Sequence, residues 1–126
     1  MRSRIIPSVP ETIILYRTGT YTDSIKQTAD KLGIRTVCAS DDAAGEKVGF
    51  LAGYSGYSSN GSSEQAEQGC IIFAEIGGKR LDAVLAELRT AGVSVPYKAV
   101  VTPSNKDWTL NSLISELMRE REKLGG

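Results

Sequence analysis

Four short apolar runs alternate along the chain with stretches of helical spacing, and this alternation constrains the fold more than any other feature. The first run, Thr12-Ile13-Ile14-Leu15-Tyr16, lies between Pro10 and Gly19 and suits a strand buried on both faces. Ile25, Ala29 and Leu32 follow at helical spacing; Thr20 or Thr22 can cap that helix and Gly33 can end it in the left-handed conformation. The second run covers residues 34–38. After it, Ser40 offers a cap, Asp41 and Asp42 place negative charge on a first turn, and Ala44, Val48, Leu51 and Ala52 supply an apolar helix face.

Between Gly53 and Gly69 the composition turns to Gly, Ser, Asn, Gln and Glu. That stretch has too little apolar surface to offset the entropy of ordering it, so it reads as a loop or flexible insertion. Cys70-Ile71-Ile72-Phe73-Ala74 is the third run; Leu81, Val84, Leu85 and Leu88 then form one stripe of a helix ended by Gly92. A fourth strand over residues 97–102 precedes a last helix with Leu110, Leu113, Ile114, Leu117 and Met118 on one face. Its charged run, residues 119–123, reads as a solvated face.

The order β-α-β-α-β-α-β-α predicts a single α/β domain with a four-stranded, mainly parallel sheet flanked by helices. The alternative is a ferredoxin-like α+β sheet in which the second helix and the Ser/Gly stretch form an insertion. The domain is expected over residues 11–124, with an N-terminal arm over 1–10 and the flexible insertion at about 54–69.

Composition removes several function classes. Among 126 residues, 15 Lys and Arg balance 15 Asp and Glu, which argues against a general electrostatic grip on nucleic acid or an anionic membrane. The absence of His excludes an imidazole base, a Ser-His-Asp arrangement and His metal ligands, and no cofactor or metal motif is present. Cys38 and Cys70 have no paired metal or redox spacing and read as reduced thiols. Pro7, Pro10 and Glu11 break the apolar run that a signal peptide needs, and no run is long enough to span a bilayer, so a cytoplasmic protein is expected. Asn60-Gly61-Ser62 fits a glycosylation pattern that such a protein would not use.

In an open parallel sheet, ligands bind beyond the carboxyl ends of the strands. That rule selects Thr18-Gly19-Thr20, Ser40-Asp41, the segment from Glu75 through Gly77, Gly78, Lys79 and Arg80, and Thr102-Pro103-Ser104-Asn105. Gly77-Gly78-Lys79-Arg80 brings open backbone and two cations to a helix N-terminus, an arrangement suited to a small anion, although the G-K-[ST] ending of a phosphate loop is missing. The two tyrosines of the Gly53–Gly61 region could form a lid or stacking surface; the plainer reading is linker. Cys38 is a weak candidate nucleophile, since it closes a strand before a capped helix, but Asp41 and Asp42 repel a thiolate. It reads as a buried, slowly labelled structural thiol, as does Cys70.

The most distinctive stretch runs from Lys98 to Leu110. Pro103 ends the strand, Asn105 can close an Asx turn, Thr109 can cap the last helix and Trp108 can staple onto Leu113. A strand-to-helix corner explains these residues. It does not by itself require Asn105 beside Thr102 at a ligand-bearing end, with Lys98 in the same strand. This K-A-V-x-T-P-x-N-x-x-W-T-L pattern, after a helix of the L-D-A-x-L-x-x-L-R-x-A-G type, resembles a small bacterial domain family of unknown function. The likeness covers residues 70 to 124 and, more loosely, Ile13 to Val48. It implies importance for Lys98, Thr102, Pro103, Asn105 and Trp108 and implies no reaction.

The expected function is a non-catalytic binding or regulatory module that meets a small anion or a protein partner around Thr102, Asn105 and Gly77-Gly78. One alternative is a small enzyme using Cys38 or Lys98, which needs a perturbed pKa. The other is a homodimer joined through an edge strand or the last helix.

Overall fold

The computed structural model describes residues 9–124, so the expected arm over 1–10 lies outside the described residues except for its last two. Val9 is already part of the core. The strands are β1 (Thr12–Tyr16), β2 (Arg35–Ala39), β3 (Cys70–Ala74) and β4 (Lys98–Val100). The helices are α1 (Thr22–Leu32), α2 (Val48–Ala52), α3 (Gly78–Thr90) and α4 (Leu110–Lys123). Together they form an α/β fold around one four-stranded sheet with strand order β2-β1-β3-β4.

The pairs β1/β2 and β3/β4 are parallel, as the sequence pattern predicts, while the central pair β1/β3 is antiparallel. The route between β2 and β3 explains that difference. After β2 the chain crosses the sheet through α2, and at Ala52 its carbonyl accepts from Arg35 at the start of β2. The coil after α2 then carries the chain back, so that Ala66 meets Tyr16 at the end of β1. β3 therefore enters from the rim where β1 leaves, and must run the other way.

Alternation along the strands divides the core into two layers. Ile13, Leu15, Ile71 and Phe73 pack with Ile25 and Ala29 of α1 and Val84 and Leu88 of α3. Ile14, Tyr16, Ile72 and Ala74 face the other side and pack with Val48 and Ala52 of α2 and Leu110, Leu113 and Ile114 of α4. β1 and β3 are buried along their whole length because helices cover both faces.

Local signals hold in part. Gly33 ends α1 with φ of 72°, and the Thr109 hydroxyl accepts from the Ser112 amide to cap α4. Neither Thr20 nor Thr22 caps α1: Tyr21 takes the N-cap position without a side-chain hydrogen bond, and the hydroxyls of Thr18 and Thr22 bond to each other at 2.6 Å. The helix expected after β2 is split into a 3-10 turn over Asp41–Gly45 and the five-residue α2, with Glu46 extended between them.

Candidate functional site

The antiparallel central pair distributes the strand-end residues over two opposite rims. Thr18, Ser40 and Asp41 follow the ends of β1 and β2 on one rim, which also holds Lys98 at the start of β4. Gly77, Gly78, Lys79, Arg80, Thr102 and Asn105 follow β3 and β4 on the other. Lys98 is thus separated from Thr102 and Asn105 by the length of β4, and its ammonium donates to the Val95 carbonyl at 2.6 Å.

The rim at the ends of β3 and β4 holds the larger group. Gly77 is the N-cap of α3, offers no side-chain hydrogen bond, and has extended backbone; Gly78 follows with φ of 56°, where a side chain would be strained. Gly77, Gly78 and Lys79 are exposed. Arg80 is committed elsewhere. Its guanidinium bonds to both oxygens of Glu11 and to the Leu32 carbonyl, and the Glu11 contact holds its pKa above the ordinary value.

Asn105 builds the neighbouring corner. Its Oδ1 accepts from the Thr102 amide at 2.9 Å, its Nδ2 donates to the Val100 carbonyl at 2.9 Å, and its own amide donates to the Thr102 hydroxyl at 3.0 Å. Asn105 is itself buried and spends its polar groups on those neighbouring residues. Pro103 sits on the exposed outside of the corner. Trp108 is 38% exposed, in a surface groove of about 820 Å³ that Ser112, Ser115 and Arg119 also line, and its carbonyl accepts from the Val48 amide.

The opposite rim is arranged differently. Thr18 is buried, and Arg17 reaches Asp41 at 3.8 Å. Cys38 is exposed, which corrects the expectation of a buried thiol: β2 is an edge strand, and its register with Leu15 points Cys38 to its less covered side. Cys70 is buried in the core as expected, and burial pushes its pKa up to about 12.

Sequence reasoning missed the polar system around the Ser/Gly coil. Glu46 is buried and accepts from the Asn60 amide at 2.7 Å, the Ser59 hydroxyl at 2.8 Å and the Ser62 amide at 3.2 Å. The Asn60 amide, ahead of the other donors, holds the carboxyl below its ordinary pKa against the opposing effect of burial. Tyr54 donates to Glu75, and Lys106 lies 4.3 Å from the Tyr54 ring centroid. Desolvation, reinforced by Glu75, raises the Tyr54 phenol well above its usual pKa and keeps it a donor. Tyr57 likewise donates to Asp107, which raises its pKa. The sequence signal for these contacts was slight: two tyrosines in a polar stretch, with partners distant along the chain.

These features define a small α/β domain with a mixed sheet and strand-end residues divided between two opposite rims. Residues 70–124 match the model of a family described as a domain of unknown function (DUF3783). No curated protein matches the chain. No solved structure matches it either. Among the described residues, no helix is long and apolar enough to cross a membrane.

Proposed function

We propose that the chain is a non-catalytic binding module of the cytoplasm whose ligand surface is the rim where β3 and β4 end, and that the ligand presents a small anionic group there. The carrying observation is the start of α3, where Gly77 provides no side-chain cap and Gly78 and Lys79 are exposed. First-turn amides have no partners within their own helix, and the helix dipole favours negative charge at that end. Lys79 is a cation at the unfavourable end of the dipole, and an anion between them reverses that cost. The internally bonded Asn105 corner gives this rim a rigid neighbour.

Cys38 and Lys98 do not join this surface. Cys38 lies on the edge strand β2, and Lys98 enters β4 from the opposite rim. A catalytic role for either would need a second, separate site.

Phosphate and sulfate titrations followed by amide chemical shifts provide the test. The amides of Gly78, Lys79 and Arg80 should move with a saturable curve, Lys79→Ala should weaken binding several-fold, and Gly77→Asp, which supplies its own carboxylate cap, should compete with the anion. Arg80 is left unchanged because its bond to Glu11 is part of the fold. Absent or non-saturating shifts at these amides, or equal binding by Lys79→Ala, reject the reading.

A further inference from the structure

The backbone carries an internal two-fold pattern. The β1/β3 register is symmetric about Ile14 and Ile72: Thr12 faces Ala74, Ile14 faces Ile72, and Tyr16 faces Cys70. Exchanging the two strands reproduces the same pairing. The outer strands obey the same operation, since Ile13, Ile14 and Leu15 pair with Thr36, Val37 and Cys38 as Ile71, Ile72 and Phe73 pair with Lys98, Ala99 and Val100.

Independent details follow the same axis. Arg17 and Glu75 each stand one residue beyond the central strands, with φ of 50° and 62°, and they are the non-glycine residues with positive φ among those described. The turns after α1 and α3 each use a left-handed glycine, Gly33 and Gly92. Lys47 and Thr109, the N-cap residues of α2 and α4, face each other in an antiparallel bridge. Its hydrogen bonds are reciprocal: the Val48 amide donates to the Trp108 carbonyl at 2.9 Å, and the Leu110 amide donates to the Glu46 carbonyl at 2.8 Å. The family match begins with β3 and ends just after α4, covering one half of this arrangement.

We infer that the chain is an internal duplication, and that residues 70–124 carry a self-complementary docking surface occupied here by the chain's own N-terminal half. The fitting partner is a second copy of the same half. About the axis, Ile72 meets Ile72 of the second copy, Cys70 meets Ala74, and the Leu110 amide meets the Trp108 carbonyl, so the contact closes with two-fold symmetry. Without a partner, β3 would present an unpaired edge and an uncovered apolar row. Tyr16 stands where the C-terminal half has Ala74, and its hydroxyl meets the Asp41 and Ala66 carbonyls and the Ala66 amide. Those contacts make the intramolecular pairing the tighter one. A second copy therefore docks only when the N-terminal half is disabled.

The test uses the full-length chain carrying Ile14→Asp, which places a charge at the buried centre of β1. Light scattering across a hundredfold concentration range is combined with hydrogen exchange of β1 and β3. The expected result is a concentration-dependent dimer with unprotected β1 and with β3 protected only in the dimer. A monomer at every concentration, a dimer with freely exchanging β3, or loss of protection throughout the chain overturns the inference. Mixing with a full-length Ile72→Asp chain supplies a second measurement. If Ile14→Asp stays monomeric alone but regains β3 protection in the mixture, its C-terminal half can fold yet is not self-complementary, which also overturns the inference.

Discussion

At the corner after β4, one buried side chain closes the backbone: Asn105 binds Thr102 and Val100 across a few residues of sequence. At the matching corner after β2, Ser40 offers no side-chain cap, and closure comes from afar. The Gly45 amide donates to the Ser62 hydroxyl, which donates to the Asp42 carbonyl, while the Asn60 side chain donates to the Gly45 carbonyl. The two halves thus share a backbone plan and differ in how its corners are held. A local Asx-type corner leaves the C-terminal half compact, with a long α4, whereas the N-terminal half has a five-residue α2 and leans on the Ser/Gly coil. The same geometry can be specified by one side chain nearby or by a polar strap from elsewhere.

The largest effects should come from the axis both halves share. Ile14→Ala and Ile72→Ala should each cost about 2–5 kcal/mol in urea unfolding, by similar amounts, because both side chains are fully buried at equivalent places. A much smaller loss for Ile14 would break the equivalence. Gly69→Ala comes next, at about 1–3 kcal/mol, since a Cβ there would lie 2.2 Å from the Arg17 carbonyl oxygen. At the equivalent point before β1 the chain carries Glu11, and Glu11→Ala, which creates no clash and loses only the partly exposed ion pair with Arg80, should cost less, about 1 kcal/mol, in the same assay. Asn105→Ala should cost about 1–3 kcal/mol by leaving the Thr102 amide and Val100 carbonyl without partners, whereas Ala43→Asn at the other corner should gain nothing comparable.

The smallest effect concerns acid. Because the folded-state pKa of Glu46 lies below its usual 4.5, the carboxylate's contribution is in place above that value and is lost as pH falls through the folded pKa. Urea midpoints of the parent should fall more steeply with acidification than those of Glu46→Gln. Parallel curves for the two proteins would show that the coil does not depend on this carboxylate.

Much of the architecture was legible because it depends on neighbours in sequence. The apolar runs located the four strands, Gly33 ended α1, and Thr109 capped α4. The corner residues Thr102, Pro103 and Asn105 were legible for the same reason. The polar strap was not, since Glu46 is bound largely through main-chain amides, and an amide leaves no mark on residue identity. The exposure of Cys38 escaped as well: an apolar run reads alike in a central and an edge strand.

The sequence by itself determined where the four strands lie, which glycine ends α1 and which threonine caps α4, and which chemistries a chain without histidine lacks. Periodicity, capping and composition are properties of short stretches or of residue counts, and need no knowledge of the rest of the chain. Only the tertiary structure decided that β1 and β3 run antiparallel, that the strand-end residues divide between two rims, and that two similar halves meet about one axis. Those outcomes depend on where the coil after α2 returns the chain, and that return is set by contacts between residues far apart in sequence.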